Sequence, residues 1–132
     1  MRLSTPNMII GTGTDVVQVE RIRNSIAQYG ERFLARVYTE RERAYSLSKA
    51  NSAERFAVRF AAKEAGMKAI GTGWQGGVKW KDFEVANESS GRPTLLLSGE
   101  ARQIANRMGV ERINISLTHT SELAMAFVIL ES

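Results

Sequence analysis

Arg59, Lys63, Glu64 and Lys68 fall within ten residues of one another, in a run otherwise built of Phe, Ala, Gly and Met. The spacing predicts a helix over Ser52–Ile70, with Phe56, Phe60, Met67 and Ile70 on one side. The other side is small and apolar: Ala57, Val58, Ala61, Ala62, Ala65 and Ala69. A helix apolar nearly all round is an interior helix. Glu64 projects near its Phe60 edge, and a carboxylate held there must be paired or must bind a cation. Two readings stand: an i,i+4 ion pair with Lys68 at a helix surface, or a cation ligand. Asp15 offers a second carboxylate on a glycine-bearing strand, and equally suits a strand-end residue capping the next segment. His119 ends a later strand among hydroxyls, as a ligand-contacting imidazole or as a hydrogen-bonded loop histidine. Gly71, Thr72 and Gly73 could turn backbone N–H groups toward a phosphate, or simply end the helix.

Composition narrows the chemistry. The 132 residues contain no cysteine, which excludes disulfides and thiolate metal sites. His119 is the only histidine, so a zinc centre is disfavoured. Any metal would be a hard cation on carboxylates, Mg²⁺ or Mn²⁺. With 43% apolar and 24% charged residues, the chain reads as one globular domain over 1–132. Residues 1–7 read as a short polar extension, expected to be disordered. The absence of a signal-like or membrane-length apolar run predicts a cytoplasmic protein. The net charge is +4, and arginines crowd the segment from Glu20 to Lys63. That bias fits an anionic partner or a solvated basic surface.

The elements that must position these groups can be taken in order. Residues 8–17 read as a strand in which Gly11, Gly13 and Asp15 share one face, open to another backbone or a ligand. Val19–Tyr29 reads as a helix with Ile22 and Ile26 inward, stopped by Gly30. Residues 32–37 continue as a second helical piece. Thr39 and Glu42 form a capping box for a helix through Leu47, and Asn51 with Ser52 caps the central helix. Residues 78–86 read as a strand, 87–91 as a turn and Pro93–Leu97 as the partner strand. Gly99–Met108 reads as an amphipathic helix with Ala101, Ile104, Ala105 and Met108 inward. Residues 113–119 and 123–130 read as a hairpin. Trp74 and Trp80 suit core or interface better than base stacking. The mixed order predicts the α+β class.

Three segments together resemble one family. They are Ile10-Gly-Thr-Gly-Thr-Asp15 with Arg21-Ile22, then Arg59-Phe-Ala-Ala-Lys-Glu64-Ala-Gly-Met-Lys68-Ala-Ile-Gly-Thr-Gly73, then Ser116-Leu-Thr-His119-Thr120. In order and spacing they resemble the holo-[acyl-carrier-protein] synthases, the small bacterial type of 4′-phosphopantetheinyl transferase. The resemblance implies that family's fold, an antiparallel or mixed sheet packed with a long buried helix. It also implies transfer of phosphopantetheine from coenzyme A to a serine of apo acyl carrier protein, as in fatty acid biosynthesis, with release of adenosine 3′,5′-bisphosphate. By resemblance, Asp15 and Glu64 are the Mg²⁺ ligands (Mn²⁺ as an alternative) and Lys68 contacts the pyrophosphate. Arg59, His119 and Thr120 hold the nucleotide end, and Gly71, Thr72 and Gly73 let backbone approach it. The serine's base is open between a cation-bound water, Asp15 and Glu42, and Lys63 is open between structural pairing and phosphate contact.

Arg21 matches the family's carrier-docking arginine, and Arg23, Arg32 and Arg36 extend that basic field toward an acidic carrier. The family resemblance also implies a homotrimer with sites between subunits. A nucleic-acid module is the competing reading of the charge, but the sequence lacks a helix-turn-helix or an aromatic stacking series. Neither nucleic acid nor membrane is an expected partner.

Overall fold

The computed structural model describes residues 8–73 and 76–132. The polar extension 1–7 and Trp74 lie outside the described residues. In order, the elements are β1 (Ile9–Gln18), α1 (Val19–Tyr29), α2 (Glu31–Val37), α3 (Glu40–Leu47), α4 (Ser52–Ile70), β2 (Phe83–Asn87), β3 (Pro93–Leu97), α5 (Gly99–Met108), β4 (Arg112–His119) and β5 (Leu123–Glu131). This is the expected α+β class, and every strand pairing is antiparallel. A three-stranded sheet runs β1-β5-β4, and β2-β3 form a separate hairpin.

Helix α4 is the axis of the fold, with the bounds its periodicity predicts. Ala57, Ala61 and Ala65 are fully buried, and these small side chains let the sheet come close. Where β1 crosses the helix the approach is closer than any side chain permits: a Cβ on Gly13 would run into the Ala65 carbonyl, and one on Gly11 into that of Ala69. The open face of β1 is therefore closed by helix backbone, which is what brings Asp15 onto the Glu64 side of α4. We expect Gly13→Ala to cost more than the roughly 1–3 kcal/mol of ordinary overpacking, because a backbone carbonyl cannot step aside as a side chain can. Urea unfolding would read this as a lower midpoint at unchanged slope.

On its other flank α4 packs an aromatic group. Phe60 stacks on Trp80 with ring centroids 4.6 Å apart, and Tyr38 lies 4.8 Å from Phe56. Tyr38 also donates its hydroxyl to the Phe56 carbonyl at 2.8 Å. Trp80 is thus a core residue, as expected.

Two local expectations need correction. Residues 78–86 are not one strand: Trp80–Asp82 form a 3-10 turn before β2 begins. Asp82 causes the break, since its carboxylate accepts the Lys79 N–H at 3.1 Å while its own N–H bonds the Lys79 carbonyl. Asn51 precedes α4, but its side chain accepts from Arg55 Nε at 3.2 Å and caps no backbone N–H. The capping box of Thr39 and Glu42 on α3 is present as expected.

The face of the three-stranded sheet away from α4 carries an exposed apolar row along β5, flanked by Thr14 of β1 and by Ser116 and Thr118 of β4. Val16, Leu123, Met125 and Phe127 are each more than 40% exposed there. Among the described residues no helix is long and apolar enough to cross a membrane.

Candidate active site

Three groups of functional side chains lie around α4, and among the described residues no hydrogen bond or ion pair joins one group to another. The first is acidic. Asp15 on β1 and Glu64 on α4 face each other closely enough that the Asp15 charge helps raise the Glu64 pKa. Burial is the larger cause of that rise, and the charges of Arg21 and Lys68 oppose it. Lys68, one turn on, donates to Asp15 Oδ1 at 3.1 Å and to the Thr14 carbonyl at 2.9 Å. The surface pair of Glu64 with Lys68 is therefore not formed. The strand supplies the lysine's acceptors, and Glu64 makes no hydrogen bond or ion pair among the described residues.

This donor set fits a hard divalent cation. A half-buried carboxylate with no partner stands beside a second carboxylate that is largely buried. No third carboxylate or histidine joins them among the described residues. Two carboxylates suit a cation that takes its remaining oxygens from water and substrate. The Lys68 ammonium, on a side chain 53% exposed, stands beside the two carboxylates.

The second group surrounds Arg59, which is only 3% exposed. Its guanidinium lies 4.2 Å from the Tyr45 ring centroid and donates to Asn87 Oδ1 at 3.1 Å, while Nε has no hydrogen-bond partner. Burial pulls its pKa down, against the pull of Glu42 and Tyr45. Arg41, Tyr45, Arg59, Val85, Ala86 and Asn87 line a cavity of about 220 Å³. The cavity opens between α3, α4 and β2, and both of its charged lining residues are arginines.

His119 forms the third group. Its Nδ1 lies 2.9 Å from Glu54 Oε1 at the start of α4, both side chains being about one-fifth exposed. Through the sheet, Asp15 lies opposite Ala126, which lies opposite Leu117, so His119 is two strands away from Asp15 and two residues further along. Thr120 accepts the N–H groups of Glu122 and Leu123, which gives its hydroxyl a turn-building task. Gly71 and Gly73 adopt left-handed backbone at φ 80° and 53°, directly after the turn that carries Lys68, with nothing within 4 Å of an added Cβ. Between them the Thr72 hydroxyl bonds the Gly73 carbonyl at 3.2 Å.

Of the basic helix residues, Arg21 sits over the Phe60 ring at 5.4 Å and its charge reaches Glu64. Arg23 pairs with Glu20 on its own helix. Arg32 and Arg36, with Tyr29 and Phe33, line an open hollow of about 280 Å³.

Glu42 is not available as a base. It is 1% exposed and receives the Lys63 ammonium at 2.7 Å, the Thr39 N–H and the Val85 N–H, the last two at 3.0 Å. Lys63 is likewise structural: it is fully buried and bonds Glu42 and two backbone carbonyls. Three participants escaped sequence reasoning: Glu54 as partner of His119, and Tyr45 and Asn87 around Arg59. Their only signal is spatial.

A family model described as the 4′-phosphopantetheinyl transferase superfamily matches residues 11–128. The chain belongs to that superfamily. Among similar transferases, a holo-[acyl-carrier-protein] synthase of Solibacter usitatus is 59% identical over 125 residues, covering 95% of this chain and all of that one. The crystal structure of the Neisseria meningitidis holo-[acyl-carrier-protein] synthase superposes with a TM-score of 0.86 at 30% identity, over 95% of this chain and all of that one. That of a Bacillus anthracis holo-(acyl-carrier-protein) synthase, in complex with CoA (3′,5′-ADP), gives 0.77 at 36% identity over 95% and 98% of the two chains. The expected transferase fold is thereby established.

Proposed function

We propose that the chain is a holo-[acyl-carrier-protein] synthase, moving 4′-phosphopantetheine from coenzyme A to a serine of an apo acyl carrier protein. The observation that carries the site assignment is Glu64, a carboxylate with no hydrogen bond or ion pair among the described residues, beside Asp15, which the Lys68 ammonium bonds. In the reaction the serine oxygen bonds to the β-phosphorus of coenzyme A, and the bond from that phosphorus to the bridging oxygen breaks. Adenosine 3′,5′-bisphosphate leaves with the electron pair, and the serine proton passes to a base. Asp15 and Glu64 would hold Mg²⁺ or Mn²⁺, which supplies Lewis-acid neutralisation of the pyrophosphate charge. Lys68 adds a positive charge beside the same carboxylates, where the leaving phosphate gathers negative charge.

Arg59 grips the nucleotide end through its arginine-lined cavity, and His119 contributes from another subunit. The separation of these groups within one chain supports assembly, and so does the exposed apolar row around Met125 and Phe127. A homotrimer with sites between subunits satisfies both. The hollow lined by Arg32 and Arg36, continued by Arg21 and Arg23, suits an acidic carrier, whose association would slow as salt rises. The setting would be cytoplasmic fatty acid biosynthesis.

Intact mass spectrometry of an apo acyl carrier protein, incubated with this protein, coenzyme A and Mg²⁺, tests the reading. The expected result is a gain of one phosphopantetheine, abolished by chelator. No gain with several carriers and folded enzyme would overturn it.

A further inference from the structure

Strand β2 has two edges, and only one is bonded to its partner strand β3. The other edge of β2 turns inward beneath α3 and α4, where a buried backbone group without a partner is costly. Among the described residues no strand covers it. A side-chain pair takes the strand's place. Glu42 Oε2 accepts the Val85 N–H at 3.0 Å, as a neighbouring carbonyl would. Lys63 Nζ donates to the Phe83 carbonyl, as a neighbouring N–H would, and also to the Trp80 carbonyl at 3.3 Å. The two side chains join at 2.7 Å with neither exposed at all. One carboxylate and one ammonium thus complete a sheet edge and tie it to two helices.

Those three elements, α3, α4 and β2, are the ones that wall the cavity around Arg59. Val85 lines the cavity and gives its N–H to Glu42. Arg59 stands one helical turn before Lys63, on the same face of α4. Its bond to Asn87 spans the same gap between α4 and β2 that Lys63 closes. A buried ion pair is seldom the most stabilising way to fill a core; here it fixes the distance between walls that carry a binding group.

We infer that Lys63 and Glu42 are positioning residues for the Arg59 cavity, holding its walls at the spacing that binds the nucleotide end of coenzyme A. The inference rests on the proposed assignment of that cavity. Neither residue touches the ligand. Their effect therefore belongs in the affinity for coenzyme A, and turnover at saturation should change little.

The test is titration calorimetry of coenzyme A on the full chain, with steady-state kinetics alongside, for wild type, Arg59→Met and the double variant Glu42→Gln/Lys63→Met. The double variant leaves no unpaired buried charge, and the Gln amide offers the β2 edge both a carbonyl and an N–H. A raised Kd and KM in the double variant, on the order of tenfold with kcat within about twofold, is the expected split. An unchanged Kd in the double variant beside a weakened Arg59→Met overturns the positioning role and leaves the cavity assignment standing. An unchanged Kd in Arg59→Met overturns the cavity assignment and the inference with it. Should the double variant be too unstable to assay, Glu42→Gln/Lys63→Gln, which also leaves no buried charge and shortens the Lys63 arm, is measured in its place. The same split decides: wild-type Kd and KM in that variant overturn the inference.

Discussion

Glu64→Gln is expected to lower turnover by about 100-fold or more and, in the same protein, to raise the stability of the metal-free chain at neutral pH. The two effects have one cause. Glu64 is held half-buried, with no hydrogen bond or ion pair among the described residues and the Asp15 charge close by. Burial first, and Asp15 second, push its pKa above the ordinary carboxyl value. A carboxyl that holds its proton more tightly folded than unfolded makes folding less favourable once the pH exceeds that folded pKa. The penalty is full above that raised value, shrinks as the pH falls through it, and vanishes below the ordinary carboxylate range. Gln has the same shape and no charge, so the gain should track that pH dependence in urea unfolding with chelator present. Divalent cation should reverse the order, because it binds the folded wild type through Glu64 and the variant poorly. Wild-type turnover in Glu64→Gln at limiting Mg²⁺ would remove Glu64 from the ligand set. A variant less stable than wild type in chelator would refute the strained-carboxylate account.

How much of this was legible in the sequence depends on the range of the interaction that decides it. The bounds of α4, the capping box of Thr39 and the β4-β5 hairpin arise from neighbours a few residues apart, and each was readable. Glycines at alternate positions of β1 signalled a close approach, and the approaching group is the backbone at Ala65 and Ala69. The failures have one pattern: a local explanation concealed a distant partner. Glu42 had a sufficient local role as the third residue of a capped helix, yet its carboxylate also meets Lys63, 21 positions on. Asp82 sat in a strand-like stretch, and only its bond to the Lys79 N–H shows that it folds a turn. Glu54 stands in the first turn of α4, and the partner that gives it a task, His119, is 65 positions away. Spacing offers Lys68 as an i,i+4 partner of Glu64, one of two open readings, and β1 passes close enough to take the lysine instead. The motif residues could be named from sequence; which of them meet could not, because strand order and helix approach decide that.

The single substitution Lys63→Met should be the most destabilising change of charge in the molecule, at about 3–5 kcal/mol. Native domains are stable by only about 5–15 kcal/mol, so a substantial part of the population could unfold. Removing the ammonium leaves the Glu42 carboxylate charged, with no exposure and no counterion at contact distance. It also deprives the Phe83 carbonyl of the Lys63 donor, while the Trp80 carbonyl keeps the Phe83 N–H. The two backbone N–H bonds that Glu42 keeps, from Thr39 and Val85, offset only part of that cost. Burial already pulls the Lys63 pKa down, and Glu42 is the chief influence holding it up, so the two charges depend on each other. Removing both must therefore cost far less than the sum of the single changes. A double-mutant cycle by urea unfolding, with Glu42→Gln as the second arm, should return a coupling of about 2–3 kcal/mol. A surface pair would give less than about 1 kcal/mol, and a value that small would mean that the buried clasp between α3, α4 and β2 does not hold the fold together.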